Sequence, residues 1–122
     1  MKKVLIVDDE ENICEILKDY LEEFELEVDT TISSIDAKKM IIDNNYDLLI
    51  TDIMMPEVNG VELIEHTVEN NKETKILAIS GGGENKLARH LILNAAVENG
   101  AADVLMKPFT EKDFQDMVQK FI

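Results

Sequence analysis

Two adjacent carboxylates, Asp8 and Asp9, close a run of aliphatic residues, Val4-Leu5-Ile6-Val7. Three further runs end in the same way. Leu48-Leu49-Ile50-Thr51 leads into Asp52, followed by Met54-Met55-Pro56 and Gly60. Ile76-Leu77-Ala78-Ile79 leads into Ser80-Gly81, and Val104-Leu105-Met106 into Lys107-Pro108. Three carboxylates brought together raise one another's pKa unless a cation lies among them. A hard divalent ion such as Mg²⁺ suits a few carboxylates with several retained waters, and it also neutralises phosphoryl oxygens. Asp52 then has the chemistry of a carboxylate nucleophile that forms an aspartyl phosphate. Lys107 offers a point charge to a phosphoryl oxygen. Ser80 offers a hydroxyl, with room left beside it by Gly81.

That chemistry requires the four run ends to meet, which sets the demand on the fold. Short apolar runs of this kind form buried parallel strands. Helical spacing fills the stretches between them. Ile13, Ile16, Leu17, Tyr20, Leu21 and Phe24 recur at i, i+3, i+4, i+7, i+8 and i+11, one apolar helix face. Ser33 or Ser34 caps a helix carrying Ile35, Met40 and Ile41. Weaker strand character covers Glu27–Thr31, and Tyr46–Thr51 reads as the third strand. Helices are predicted over about Val61–Glu69 and within Asn85–Glu98, the latter stopped by Asn99-Gly100. Thr110 and Asp113 resemble a capping box, and Phe114, Met117, Val118 and Phe121 line the last helix. Five β-α repeats predict an α/β, flavodoxin-like (βα)5 architecture: a doubly wound five-stranded parallel sheet with helices on both faces. In such sheets the strand carboxyl ends line the ligand crevice. Acids that merely cap helices would explain Asp8 or Asp9 singly, but not four chemically matched residues on one rim.

Composition narrows the function further. The 122 residues suit one domain, 1–122, with a real core. The formal net charge of −14 argues against direct nucleic-acid or anionic-membrane binding. Residues 1–65 hold 18 acids against 5 bases, and residues 66–122 hold 8 against 7. The first half therefore dominates electrostatic steering. Cys14 is the only cysteine, so neither an internal disulfide nor a cysteine metal cluster is expected. The apolar run after Met1-Lys2-Lys3 stops at Asp8, too early for a signal peptide. A cytoplasmic protein is expected. His66 and His90 fall in helices away from the predicted rim, and Cys14 reads as a packing residue.

The chain resembles the receiver domain of two-component response regulators, the CheY-like family, from Lys3 to Ile122. Val7-Asp8-Asp9-Glu10, Asp52-Ile53-Met54-Met55-Pro56 with Gly60, Ile79-Ser80-Gly81 and Lys107-Pro108-Phe109 carry the resemblance. It implies that Asp52 accepts a phosphoryl group from a phosphohistidine on a sensor histidine kinase or histidine phosphotransfer protein. It implies Mg²⁺ binding by Asp9, Asp52 and the Met54 backbone carbonyl, with Asp8 acting through water. Lys107 would bond the phosphoryl group, Ser80 would swing toward it, and Lys107–Pro108 would be cis. A stand-alone switch acting on an unidentified downstream protein is the first expectation. The alternatives are a receiver attached to an output domain and a small phosphohydrolase. Hydrolases of that kind place a second acid two residues after the nucleophile, where this chain has Met54, so only slow self-dephosphorylation is expected.

Two departures from the family pattern bear on switching. Val104 stands three residues before Lys107, where a mobile tyrosine or phenylalanine is usual. Valine has one stiff rotamer in a strand and no ring to expose. Gly81-Gly82-Gly83 opens the connection after Ser80, with backbone freedom closed to other residues. These two features predict that the response to phosphorylation runs through residues 81–90. Hydrogen exchange with and without a phosphoryl mimic checks this: protection should rise there more than elsewhere outside the acid site. A response confined to the last helix would place the switch along the fifth strand instead.

Overall fold

Strand and helix alternate without interruption in a computed structural model that describes residues 1–55, 59–81 and 86–122. The strands are β1 (Lys2–Val7), β2 (Leu26–Thr31), β3 (Leu48–Asp52), β4 (Lys75–Ser80) and β5 (Asp103–Met106). The helices are α1 (Glu11–Tyr20), α2 (Ser34–Asp43), α3 (Gly60–Asn70), α4 (Lys86–Glu98) and α5 (Glu111–Gln119). All strand pairs are parallel, in the order β2-β1-β3-β4-β5. This is the doubly wound, flavodoxin-like arrangement expected. Pro56, Gly82 and Gly83 lie outside the described residues.

The inner strands β1, β3 and β4 are largely apolar because both faces are covered. Leu5, Val7, Leu49, Ile76 and Ala78 pack with Ala37 of α2, Leu63 and Ile64 of α3 and Ala96 of α4. Val4, Ile6, Leu48, Ile50, Leu77 and Ile79 alternate with them and pack on Cys14 and Leu17 of α1 and Phe114 and Val118 of α5. The two-residue alternation of a strand divides one hydrophobic run between two cores. β2 lies at the sheet edge and is only partly buried, which explains its weak sequence signal.

Helix boundaries follow their caps. The Ser33 side chain accepts from Asp36 N–H, and the Asn59 side chain accepts from Glu62 N–H. Thr110 and Asp113 form the full reciprocal capping box. Two sequence assignments need correction. Ile16, read on the apolar face of the first helix, is 43% exposed. In α1 the buried positions are Cys14 and Leu17, continued by Leu21 beyond the helix end. Tyr46 lies just outside β3. It is buried nonetheless, and its hydroxyl donates to Asp29 Oδ2 at 2.7 Å.

Gly60 opens α3 directly against the end of β3. Its N–H donates to Ile53 O at 2.9 Å. A Cβ at this position would lie 2.4 Å from Asp52 O and 2.4 Å from Ile53 Cα, both backbone atoms that have no rotamer to escape by. Alanine would gain up to about 1 kcal/mol of helix propensity, but overpacking against backbone costs about 1–3 kcal/mol. Gly60→Ala should therefore lower unfolding stability in a denaturant titration and displace Asp52. An equal or higher midpoint would mean that α3 retracts freely from β3.

Candidate functional site

The strand order reverses between β1 and β3, and in open α/β sheets the crevice outside such a switch point is the ligand site. Asp8 and Asp9 follow β1, and Asp52 ends β3. Asp8 continues the alternation of Val4 and Ile6, Asp52 that of Leu48 and Ile50, and Lys107 that of Leu105. All belong in phase with the core under α1 and α5. One carboxylate oxygen from each of Asp8, Asp9 and Asp52 lies within 4.8 Å of the others. Lys107 Nζ lies 3.0 Å from Asp52 Oδ2 and 3.6 Å from Asp8 Oδ2. The three acids and the amine read from the sequence therefore converge.

Local structure aims each of these groups. Glu10 N–H donates to Asp8 Oδ1 at 2.9 Å, and Met54 N–H donates to Asp52 Oδ1 at 2.9 Å. The Cys14 thiol donates to Asp8 O at 3.5 Å, tying α1 under the β1 end. Lys107 N–H donates to Ser80 O at 2.9 Å, and the Lys107–Pro108 peptide is cis. Phe109 stacks on Phe114 with centroids 5.8 Å apart, fixing the connection that carries the lysine.

Ser80 behaves differently. It stands at the same strand-end rim but shares its phase with Ile76 and Ala78. Its buried hydroxyl donates to Gly81 O at 3.5 Å, a long bond. Met54 reaches the site through its backbone, while its side chain is 59% exposed. The histidines stay away, as expected. His66 Nε2 lies 3.0 Å from Lys38 O of α2, and His90 is exposed on α4. Sequence reasoning missed the Cys14 peg and the Asp8–Lys107 pair. The spacing of Cys14, Leu17 and Leu21 at i, i+3 and i+7 carried the first signal. No sequence signal carried the second.

The electrostatics are strained in one place. Asp8 is 1% exposed, and among the described residues its Oδ2 is a buried atom without a hydrogen-bond donor. Burial raises its pKa to about 6; the Glu10 N–H and Lys107 oppose the shift, while Asp52 and Asp9 add to it. Burial works against the Lys107 charge, but the Asp52 hydrogen bond and the charges of Asp52 and Asp8 hold its pKa above the usual lysine value. Three carboxylates against one ammonium leave an excess that a divalent cation matches. The orphaned Asp8 oxygen, the convergence of the acids and their all-oxygen donor set fit Mg²⁺. Asp8, Asp9 and Asp52 would hold such an ion.

Beside Lys107 an apolar groove of about 300 Å³ opens between α1 and the β5–α5 connection, lined by Ile13, Ile16, Tyr20, Pro108 and Phe109 among others. The exposed Ile16 belongs to this groove, which explains its departure from the core.

The Asp8 shift has a consequence for stability. Its folded pKa of about 6 exceeds the ordinary 3.8. The folded state thus binds more protons than the unfolded chain between these values, and stability falls as pH rises through them. At neutral pH the ionised, buried group costs roughly 2–3 kcal/mol. The metal-free Asp8→Asn protein should melt several degrees higher than the parent near neutral pH, by about 4 °C per kcal/mol. It should also lose part of the parent's decline in melting temperature between about pH 4 and 6. An identical pH profile for the two proteins would show that Asp8 is not strained.

Comparison with known proteins agrees with this geometry. Residues 4–119 match the response regulator receiver domain model. The transcriptional regulatory protein SrrA of Staphylococcus aureus is 31% identical over 113 residues, covering 91% of this chain and 44% of SrrA. The chain thus spans less than half the length of the curated relatives it matches. A response regulator receiver domain protein from Clostridium thermocellum superposes with a TM-score of 0.86 at 27% identity, covering 100% of this chain and 94% of that one. A CheY-like receiver domain protein from Methanospirillum hungatei gives 0.87 at 25% identity, covering 98% and 92%. Receiver domains bind Mg²⁺ at an acidic aspartate cluster and are phosphorylated by histidine kinases or phosphotransfer proteins. No helix among the described residues is long and apolar enough to cross a membrane. With its strand order, its acid cluster and its matched residues all in agreement, the chain belongs to the response regulator receiver family.

Proposed function

We propose that residues 1–122 form one receiver unit in which Asp52 is the phosphoacceptor of a two-component phosphorelay. The observation that carries this reading is the Lys107 ammonium bridging Asp52 and Asp8 beside a third carboxylate at the sheet's switch point. In the transfer step an Asp52 carboxylate oxygen forms the new O–P bond as the N–P bond of a donor phosphohistidine breaks. The imidazole leaves with the N–P electron pair. Asp8, Asp9, Asp52 and the Met54 carbonyl hold Mg²⁺, which when bound neutralises the carboxylates and the phosphoryl oxygens. Lys107 then bonds a phosphoryl oxygen, and Ser80 turns toward the same group from its weak bond to Gly81. Met54 supplies no acid or base to release phosphate, so the acyl phosphate persists and self-dephosphorylation is slow.

The donor reaches Asp52 over α1. Glu11, Glu15, Asp19, Glu22 and Glu23 are exposed there, around the groove that begins at Lys107. A donor with a basic face around an apolar contact fits that surface. The switch then acts by changing which protein it binds. The length of SrrA supports a second arrangement, in which the receiver governs an attached output segment, while the Clostridium thermocellum protein, 94% covered, supports a stand-alone unit. The intact mass of the natural product decides between them.

Incubation with Mg²⁺ and a small phosphodonor should add one phosphoryl group, read by intact-mass spectrometry and lost in base but not in acid. Asp52→Asn should remove at least nine-tenths of it (about a tenfold loss or more), since among the described residues no other carboxylate hydrogen-bonds the Lys107 ammonium. Undiminished labelling of Asp52→Asn on another residue would sink the assignment.

A further inference from the structure

The chain holds two Asn-Gly steps, Asn59-Gly60 and Asn99-Gly100. A glycine after asparagine has no side chain to shield its amide nitrogen, and its free backbone lets that nitrogen approach the asparagine Cγ. The two steps stand in opposite surroundings. Gly60 is buried, and its N–H donates to Ile53 O at 2.9 Å. The Asn59 amide oxygen accepts from Glu62 N–H at 3.0 Å. Gly100, by contrast, is exposed just past the end of α4. Its N–H donates to Val97 O at 3.1 Å and Ala101 N–H donates to Ala96 O at 3.0 Å, the bond pair of a helix-ending turn. Such ends open more readily than buried contacts do. Glycine is also required here, since its φ is +123° and a Cβ would lie 2.6 Å from Val68 Cγ2. The residue that ends the helix is thus the residue that leaves Asn99 open to attack.

We infer that Asn99 is a site of spontaneous modification, converting to aspartate and isoaspartate while Asn59 is protected. The Gly100 nitrogen loses its proton to solvent base and forms a bond to Asn99 Cγ. The Cγ–Nδ2 bond breaks, and ammonia leaves with a proton taken from water. Water then opens the five-membered imide at either carbonyl, giving aspartate or an isoaspartyl link that adds the Cβ to the main chain. Water is the only co-reactant. Both products put a carboxylate in place of the Asn99 Nδ2 donor, which lies 2.7 Å from Ala95 O. The new negative charge meets the carbonyl end of α4, where the helix dipole disfavours it. The same turn sets the start of β5, since Ala102 N–H donates to Ile76 O at 2.7 Å. Asp52 ends its strand, whereas residues 99–102 precede theirs, so the change falls on the opposite rim of the sheet. Conversion loosens the α4–β5 turn and leaves the acid cluster in place.

Peptide mapping by mass spectrometry tests this on the full chain kept in mildly alkaline buffer, folded and in denaturant. In the denatured chain both steps should convert at similar rates. In the folded chain position 99 should convert about tenfold faster than position 59, the margin between an opening helix end and a buried contact. Equal conversion of the two sites in the folded chain, or faster conversion at Asn59, overturns the inference. So does an Asn99 that stays intact in the folded chain while the denatured chain converts fully. Asn99→Asp reports the consequence. It should melt roughly 1–4 °C below the parent and take up a phosphoryl group within about twofold of the parent's rate. An unchanged melting temperature would overturn the loosening of the turn, and a larger loss of labelling would overturn its separation from the acid cluster.

Discussion

Repulsion among three carboxylates at the rim of a parallel sheet is the constraint around which this molecule is arranged. Asp8 and Asp52 are both nearly inaccessible to water, so solvent does little to screen them. The protein answers with one ammonium, two backbone N–H donors and a strand geometry that brings the groups together. Each answer depends on a different element. The Glu10 N–H comes from the start of α1, the Met54 N–H from the turn after β3, and the Lys107 ammonium from the connection to α5. The compensation is incomplete, because among the described residues one Asp8 oxygen receives no donor. A site left in this state is poised for a cation, and the fold supplies the stability that keeps it so. The fully buried residues of β1, β3 and β4 hold the rim in register from beneath.

Much of this was legible in the sequence because burial on both faces leaves a strong trace. β4 reads as a continuous apolar run, Ile76-Leu77-Ala78-Ile79, and the observed strand, Lys75–Ser80, extends it by one residue at each end. β5, Asp103–Met106, likewise holds the run Val104-Leu105-Met106. Edge position erodes that trace. β2 mixes Glu27 and Asp29 with Leu26 and Val28, since its outer side has no strand partner. The α1 pattern misled for a related reason. Apolar residues of a helix next to a binding groove face two ways, so Ile16 shares the spacing of the core without belonging to it. Residue types and strand ends revealed the chemistry of the site. The pairing of Asp8 with Lys107 was not legible, because it joins residues nearly a hundred positions apart and depends on how the β5–α5 connection is stacked on Phe114.

The apolar groove and the acid cluster are two ends of one surface. Lys107 belongs to both, as a partner of Asp8 and Asp52 and as a wall of the groove. Anything that changes the lysine's position is therefore felt where a partner helix would lie along α1. The acids of α1 extend the same negative field outward from Asp52. Cys14 stiffens this region from below. Its thiol, with a pKa pushed up to about 11 chiefly by burial, stays protonated and serves as a donor rather than a nucleophile.

The ends of β4 and β5 are joined by a bond that bears on how a change at the site spreads. Lys107 N–H donates to Ser80 O, so the residue that bears the ammonium and the residue that bears the hydroxyl share one backbone link. Val104 sits half-buried against the core shared with Leu5, Leu49 and Ala78, and its N–H is held by Asp103 Oδ1 at 2.8 Å. A branched residue packed in that way resists rotation. Movement of Ser80 cannot be relayed by a ring at this position. The backbone link remains, from Ser80 O to Lys107 N–H on one side and from Ser80 into Gly81 on the other. A Cβ added at Gly81 would meet nothing within 4 Å, while Lys107 is followed by the Phe109 ring stacked on Phe114. Displacement of Ser80 would therefore be passed on through its backbone links to Lys107 and Gly81 rather than by a ring at position 104.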